Sequence, residues 1–172
     1  MNGRTMTATI IAAVVLIDRV TKMYIRAAFT AWDITPVIPR FFNIVHTENP
    51  GAAFGMLADS TGAWREIFLV GISLVVISVI GVMLWRPNRA GMHDTAILRV
   101  GLALVFGGAL GNMWDRLFRG TVTDFLQFFF GSYEFPSFNA ADSAITIGAV
   151  LLVIDLWRTR HHGAAAAADS AK

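Results

Sequence analysis

The chain has 172 residues, of which 55% are hydrophobic and only 15% are charged, and its formal net charge is +2. Soluble domains carry about 25% charged residues, so this composition favours a membrane protein with one compact domain. The small net charge argues against a nucleic-acid-binding surface, and the absence of cysteine excludes disulfides, zinc-thiolate sites and cysteine nucleophiles.

Four blocks of apolar sequence are long enough to cross a bilayer, which takes about 20 residues per helix. We place the spans at 7–29, 67–85, 95–113 and 140–157. The first block could instead be the core of a signal peptide. However, Asp18, Arg19 and Lys22 stand where a small-residue cleavage site should follow, which favours a span.

Two of the connections between spans are long. The first, at 32–64, contains a β-prone run at 41–45 and the turn signal Asn49-Pro50-Gly51, which predict a small β-region at the membrane surface. The second contains an apolar stretch, 122–130, which we expect to dip into the membrane interface.

We therefore expect an all-α membrane protein with four transmembrane helices, a small β-region and an interfacial segment. Residues 1–160 would form this domain, and the Ala-rich tail at 161–172 is low in complexity and expected to be disordered.

Four spans place both termini on one side of the membrane. The arginines next to the span ends on that side make it cytoplasmic by the positive-inside rule. They are Arg4, Arg86, Arg89, Arg158 and Arg160. The opposite side carries nearly as many arginines, so the count alone does not decide the orientation. What favours it is that the short loop and the tail place these five arginines directly next to the ends of the spans.

The sequence gives no reason to expect a metal or a cofactor. It has four histidines, none spaced from another histidine or a carboxylate in the way that a zinc protease requires. His161 and His162 stand in the polar tail, where solvation is the simpler explanation.

Several polar residues within the spans are costly to insert and are therefore functional candidates. Asp18 and Lys22 are spaced i, i+4, which allows either an ion pair that lowers the insertion cost or a role in the bundle interior. Asn112, Asp115 and Arg116 lie at i, i+3 and i+4 at the end of the third span, a spacing that favours a fixed polar scaffold.

Two further carboxylates lie close to the membrane surface. Asp124 has apolar neighbours and no adjacent cation, so burial should raise its pKa. Asp142 stands three residues after Asn139 at the start of the fourth span, which also fits a helix cap. If the two met, they could share a proton, and such a pair hydrolyses peptides with no metal and no covalent intermediate.

Five segments of the chain together resemble lipoprotein signal peptidase (prolipoprotein signal peptidase, signal peptidase II). They occur in the order of that family, from the first span to the fourth. They are 18–22, 49–55, 107–116 with its Gly-Asn-x-x-Asp-Arg core, 122–125 and 138–145.

The resemblance implies an aspartyl endopeptidase of the bacterial inner membrane, with its active site toward the extracytoplasmic face. The implied catalytic pair is Asp124 and Asp142. The implied substrate is a prolipoprotein with a diacylglyceryl cysteine, which the family cuts just before that cysteine, and the implied inhibitor is globomycin. The implied supporting residues are Asp18, Lys22, Asn49, Gly108, Asn112, Asp115, Arg116 and Asn139. We expect a monomer in contact with membrane lipid.

Two other functions fit parts of the sequence. A serine/lysine signal peptidase could use Ser143 and Lys22, since Lys22 is the only lysine before the tail. A small proton-coupled transporter could use buried aspartates, but it needs carboxylates that are accessible from both faces of the membrane. In the inner halves of the predicted spans, the one carboxylate is Asp155 of the fourth span.

Overall fold

The computed structural model describes residues 2–51, 63–85 and 95–169. The loop at 86–94, with Arg86 and Arg89, lies outside these residues, as do 52–62 of the first long connection. The described elements are α1 (Gly3–Ala28), β1 (Ile34–Ile38), β2 (Phe42–Asn49), α2 (Ala63–Trp85), α3 (Ala96–Arg119), β3 (Val122–Phe130), β4 (Tyr133–Glu134) and α4 (Ala140–Asp169).

Three stretches of helix in the described part of the chain are long and apolar enough to cross a membrane. They are Ile67–Trp85, Ala96–Arg119 and Ala140–Thr159, at the predicted second, third and fourth spans. The first predicted span, 7–29, is helical as α1 but does not meet this measure, because it carries Asp18, Arg19 and Lys22. Its passage through the membrane stays a prediction.

The four strands form one antiparallel sheet in the order β1-β2-β3-β4. The described fold is mostly helical with a small antiparallel sheet, as predicted, but the sheet also includes β3 and β4, which lie outside the predicted β-region at 32–64. The stretch 122–130, which we expected to dip into the interface, is strand β3, and it pairs with β2 through matches such as Glu48 with Thr123. Its apolar character is explained by burial within the fold, because Val122 and Phe125 are both buried.

Helix α4 continues as far as Asp169. It thus extends through 161–169, where we predicted a disordered tail. Alanine has the highest helix propensity of any residue, which gives the run at 164–168 a reason to prolong the helix.

Helix α3 packs against each of the other three helices. Its glycines allow the close approach. A Cβ on Gly108 would lie 2.4 Å from the carbonyl oxygen of Ala141, and one on Gly111 would lie 2.6 Å from Asp18 Oδ2. The backbones of α3 and α4 therefore touch where α4 begins, which brings polar groups from both helices together.

We expect Gly108→Ala to destabilise the protein by about 1–3 kcal/mol, because the new methyl group would meet backbone that cannot move aside. Unfolding by detergent titration in mixed micelles measures the change. Gly81→Ala is the matched control, since its Cβ would meet only Phe106 at an ordinary 3.5 Å. Equal stability of the two variants would contradict this account of the α3–α4 contact.

Candidate active site

A buried ammonium group connects α1 to α3. Lys22 Nζ lies 2.9 Å from Asp18 Oδ2, 2.9 Å from Asp115 Oδ2 and 2.9 Å from Asn112 Oδ1. The side chains of Lys22, Asp18 and Asp115 have no solvent exposure. The predicted Asp18–Lys22 ion pair is present, and it faces the interior of the bundle.

Arginines of α1 also contact this cluster. Arg19 Nη1 lies 2.7 Å from Asp115 Oδ1, and Arg26 Nη1 lies 3.6 Å from the same oxygen. The cationic partners of Asp115 thus come from α1. These contacts hold Asp115 in place, which is the arrangement that a polar scaffold needs.

The start of α4 is capped from both sides. Asn139 Oδ1 accepts from the backbone N–H of Asp142 at 3.0 Å, and Asp142 Oδ2 accepts from the backbone N–H of Asn139 at 3.2 Å. This is the reciprocal capping box that the sequence allowed. Asp18 Oδ1 accepts from the N–H of Ala141 at 3.1 Å, which ties α1 to the same helix end.

Capping does not exhaust the contacts of Asp142. Its second oxygen, Oδ1, accepts from Asn112 Nδ2 at 2.7 Å. Lys22 determines how the Asn112 amide is oriented. An ammonium group can only donate, so the Asn112 oxygen Oδ1 must face Lys22. The amide nitrogen Nδ2 then faces Asp142. The Asp142 carboxylate is thus held at both oxygens and stays half-buried.

Asp124 lies in β3 and reaches the same asparagines. Its Oδ1 accepts from Asn139 Nδ2 at 2.7 Å, and its Oδ2 accepts from Asn49 Nδ2 at 2.9 Å. Asn139 Nδ2 also donates to Asn112 Oδ1 at 3.2 Å. Asn139 therefore contacts Asp124 through its side chain and Asp142 through its backbone, and the two carboxylates meet around it.

The surroundings of Asp124 favour its neutral form. Burial, followed by the negative charge of Asp142, raises the pKa of Asp124 to about 7, while the hydrogen bonds from Asn49 and Asn139 act in the opposite direction. Only 3% of Asp124 is exposed. The predicted rise through burial is present, and Asp142 adds a second cause.

Arg116 lies on the α3 side of the two carboxylates. Its Nη1 donates to the carbonyl of Asn112 at 3.4 Å, and its charge acts on Asp142, Asp124 and Asp115. Its buried Nε has no hydrogen-bond partner among the described residues. A guanidinium so placed can offer a donor to a carbonyl group bound beside the carboxylates.

Gly108 contributes no polar group, but its missing side chain lets Ala141 approach, so it sets where Asp142 lies. Asn49 ends β2 and also holds the turn, because its Oδ1 accepts from the N–H of Gly51 at 2.8 Å. The structure thus brings the ten predicted site residues together at one end of the helices. Residues 52–55 of the second matching segment lie outside the described residues.

Sequence reasoning missed a set of polar residues behind β3. Arg26 donates to Thr123 Oγ1 at 2.9 Å, and Thr123 donates to Glu48 at 3.0 Å. The register of β2 against β3 brings Glu48 to Thr123, and the packing of α1 brings Arg26 there; a single sequence gives neither. The position of Thr123 next to Asp124 was the one available signal.

Comparisons with known proteins agree with one another. The family model described as signal peptidase (SPase) II matches residues 10–158. The lipoprotein signal peptidase of Solibacter usitatus is 44% identical over 153 residues, covering 89% of this chain and 91% of that protein. That of Maridesulfovibrio salexigens is 36% identical, covering 93% of this chain and 100% of that protein. A solved bacterial membrane enzyme aligns with a TM-score of 0.77 at 34% identity, covering 90% of this chain and 88% of that one.

Burial and the Asp142 charge raise the pKa of Asp124 to about 7, and we expect Asn49→Ala to raise this pKa further. The hydrogen bond from the Asn49 amide stabilises the ionised carboxylate of Asp124 and so lowers its pKa. Without that bond, burial and the Asp142 charge raise the pKa further. Isotope-edited infrared spectroscopy of the carboxyl C=O stretch measures the midpoint, with Asp124→Asn to assign the band.

Asn43→Ala is the matched control for this titration. It removes an asparagine from the same strand, but Asn43 Nδ2 donates to Gln127 at 3.0 Å and not to Asp124. A midpoint that stays in place or falls in Asn49→Ala would rule out the proposed effect of the amide.

Proposed function

Because the chain belongs to the signal peptidase II family, we propose that it is an aspartyl endopeptidase that removes signal peptides from prolipoproteins. Its substrate would carry a diacylglyceryl cysteine, and cleavage would occur just before that residue. One observation supports the aspartyl mechanism above the others. Asp124 and Asp142, 18 residues apart in the sequence, accept hydrogen bonds from the same asparagine, Asn139.

The two carboxylates differ in a way that suits a division of roles. Asp142 is at the N-terminal end of α4, where the helix dipole favours a negative charge. Asp124 is buried, with a pKa of about 7. Asp142 would therefore be the ionised general base, and Asp124 would hold the shared proton.

The reaction then needs no metal and no covalent intermediate. Asp142 takes a proton from water as the water oxygen attacks the peptide carbonyl carbon, and Asp124 gives its proton to the carbonyl oxygen. In the second step Asp142 returns its proton to the leaving nitrogen while Asp124 takes one back from the diol. Peptide and water become an acid and an amine, and the pair regains its starting state.

Supporting residues would act on this pair or on the substrate. Lys22, Asp18, Asp115, Asn112 and Asn139 fix the carboxylates through the contacts described above. Asn49 and Arg116 would bind carbonyl groups of the substrate backbone. Since one chain supplies every one of these side chains, we propose that the monomer is active.

The contacts of Lys22 and Ser143 disfavour the serine/lysine alternative. Lys22 Nζ is surrounded by three oxygen acceptors. Ser143 Oγ donates at 3.0 Å to the carbonyl of Asn139, the residue that directly precedes α4. Membership in a peptidase family likewise disfavours the transporter.

The arrangement of helices supports four spans. Helix α1 runs beside α3 over its length, because Gly3 contacts Arg99 at one end while Arg19 pairs with Asp115 near the other. At 26 and 24 residues, α1 and α3 measure about 39 and 36 Å at 1.5 Å per residue. Asp18 and Lys22 of α1 are buried against α3, so these two charged side chains need not contact lipid. We propose that α1 also crosses the bacterial inner membrane, with both termini in the cytoplasm.

Asp124→Asn and Asp142→Asn should each lower the cleavage rate of a diacylglyceryl-modified prolipoprotein by about 10²–10⁴-fold, because each removes a proton-transfer group. Initial rates in detergent measure the loss, and thermal unfolding checks that the variants fold. Ser143→Ala is the control and should stay close to wild type. A folded, active Asp124→Asn or Asp142→Asn enzyme would end the aspartyl assignment.

The same assay tests substrate and inhibitor. The lipidated precursor should be cleaved, the unlipidated one should not, and globomycin should stop the reaction. Equal cleavage of both precursors would contradict the requirement for a lipidated cysteine but would leave the proposed peptidase activity standing.

Topology can be tested cleanly because the natural chain has no cysteine. We expect Tyr133→Cys, in the exposed strand β4, to react with an impermeant maleimide in intact spheroplasts. Thr5→Cys, near the start of α1, should react only after the membrane is opened. Labelling of both in intact spheroplasts would contradict the proposed orientation.

A further inference from the structure

The strand that carries Asp124 has two faces with different tasks. Asp124 and Asn49 lie on one face, where Asp124 accepts from both Asn49 and Asn139. Thr123 and Glu48 are paired across β3 and β2, and because side chains alternate along a strand, they lie on the opposite face. A second polar cluster occupies that reverse face.

Glu48 is the acceptor at the centre of this cluster. It receives Thr121 Oγ1 at 2.5 Å, Thr123 Oγ1 at 3.0 Å and His46 Nε2 at 3.0 Å. Burial acts to raise the pKa of Glu48, but these hydrogen bonds together with Arg119 outweigh burial and hold the pKa below its usual value. A charged Glu48 therefore binds β2 to β3.

Two contacts join this cluster to α1. His46 Nδ1 lies 2.9 Å from the carbonyl oxygen of Phe29, the residue that caps α1. On the other side, Arg26 Nη1 donates to Thr123 Oγ1 at 2.9 Å and lies 3.6 Å from Asp115 Oδ1. Contacts therefore run without a gap from the buried Lys22 cluster, through Arg26 and Thr123, to the sheet.

We propose that Thr123 is a positioning residue for Asp124, held by Arg26 of α1 and Glu48 of β2. Its side chain has no solvent exposure, and its hydroxyl both accepts from Arg26 and donates to Glu48. Since Thr123 directly precedes Asp124, these two bonds fix how far Asp124 lies from Asp142. The inference rests on the proposed function, because it assigns a role within that same pair.

Thr123→Val tests the proposal, because valine keeps the shape of threonine and removes the hydroxyl. We expect kcat on the lipidated precursor to fall by about 10- to 100-fold, as for a small displacement of a reacting group, with KM within about twofold. Thr123→Ser keeps the hydroxyl and should restore kcat to near wild type. Thr7→Val, whose hydroxyl bonds only within its own helix near the start of α1, is the matched control.

The pH profile separates positioning from a general loss of stability. If Asp124 moves away from Asp142, the negative charge of Asp142 raises the pKa of Asp124 less, so the alkaline limb of kcat should move to lower pH in Thr123→Val. Glu48→Gln gives a second measurement should Thr123→Val fold poorly, and we expect the same direction of change.

Two results would overturn the proposal. One is a Thr123→Val enzyme with wild-type kcat and pH profile. The other is an equal loss in Thr123→Val and Thr123→Ser with an unchanged pH profile, which would indicate packing alone. Activity in Asp124→Asn would instead end the proposed function, so the two failures are distinguishable.

Discussion

The fold must hold the ammonium group of Lys22 and the carboxyl groups of Asp18 and Asp115 where no solvent reaches them. Transfer of an ion out of water costs several kcal/mol even after relaxation, and the attraction between partners offsets this only if every lone pair and proton is used. One ammonium group contacts two carboxylates and an amide oxygen, and Asp18 also receives a backbone N–H from α4. These bonds have one geometry that satisfies them, so α1, α3 and the start of α4 are fixed relative to one another.

Two asparagines, Asn112 and Asn139, connect that cluster to the carboxylates of Asp124 and Asp142. An asparagine side chain carries both a donor and an acceptor, so a cation on one side determines what is offered on the other. Lys22 takes the oxygen of Asn112, and the amide nitrogen then faces Asp142. Asn139 likewise gives its nitrogen to Asp124 because its oxygen caps α4. A charge remote from the reaction thus sets which groups contact the reacting carboxylates.

Much of this site could be predicted from sequence, and the part that could not has a physical reason. The helical spacing of Asp18 and Lys22 and the capping pattern of Asn139 and Asp142 are local, so they are readable in one chain. The resemblance supplied the association of Asp124 with Asp142. The strand 122–130 was misjudged because an apolar run of that length fits an interfacial segment and a buried strand equally well. The cluster behind Asp124 depends on strand register, which no local pattern contains.

Asp142 shows why a structural role and a chemical one need not be alternatives. As the third residue of α4, it satisfies the backbone N–H of Asn139 with one oxygen, and this bond holds the carboxylate in place. The other oxygen accepts from Asn112 Nδ2. The helix end that needs a cap also favours the negative charge that a general base requires. The same bond therefore stabilises the helix and orients the base, and the energy that fixes the geometry is already supplied by folding before any substrate binds.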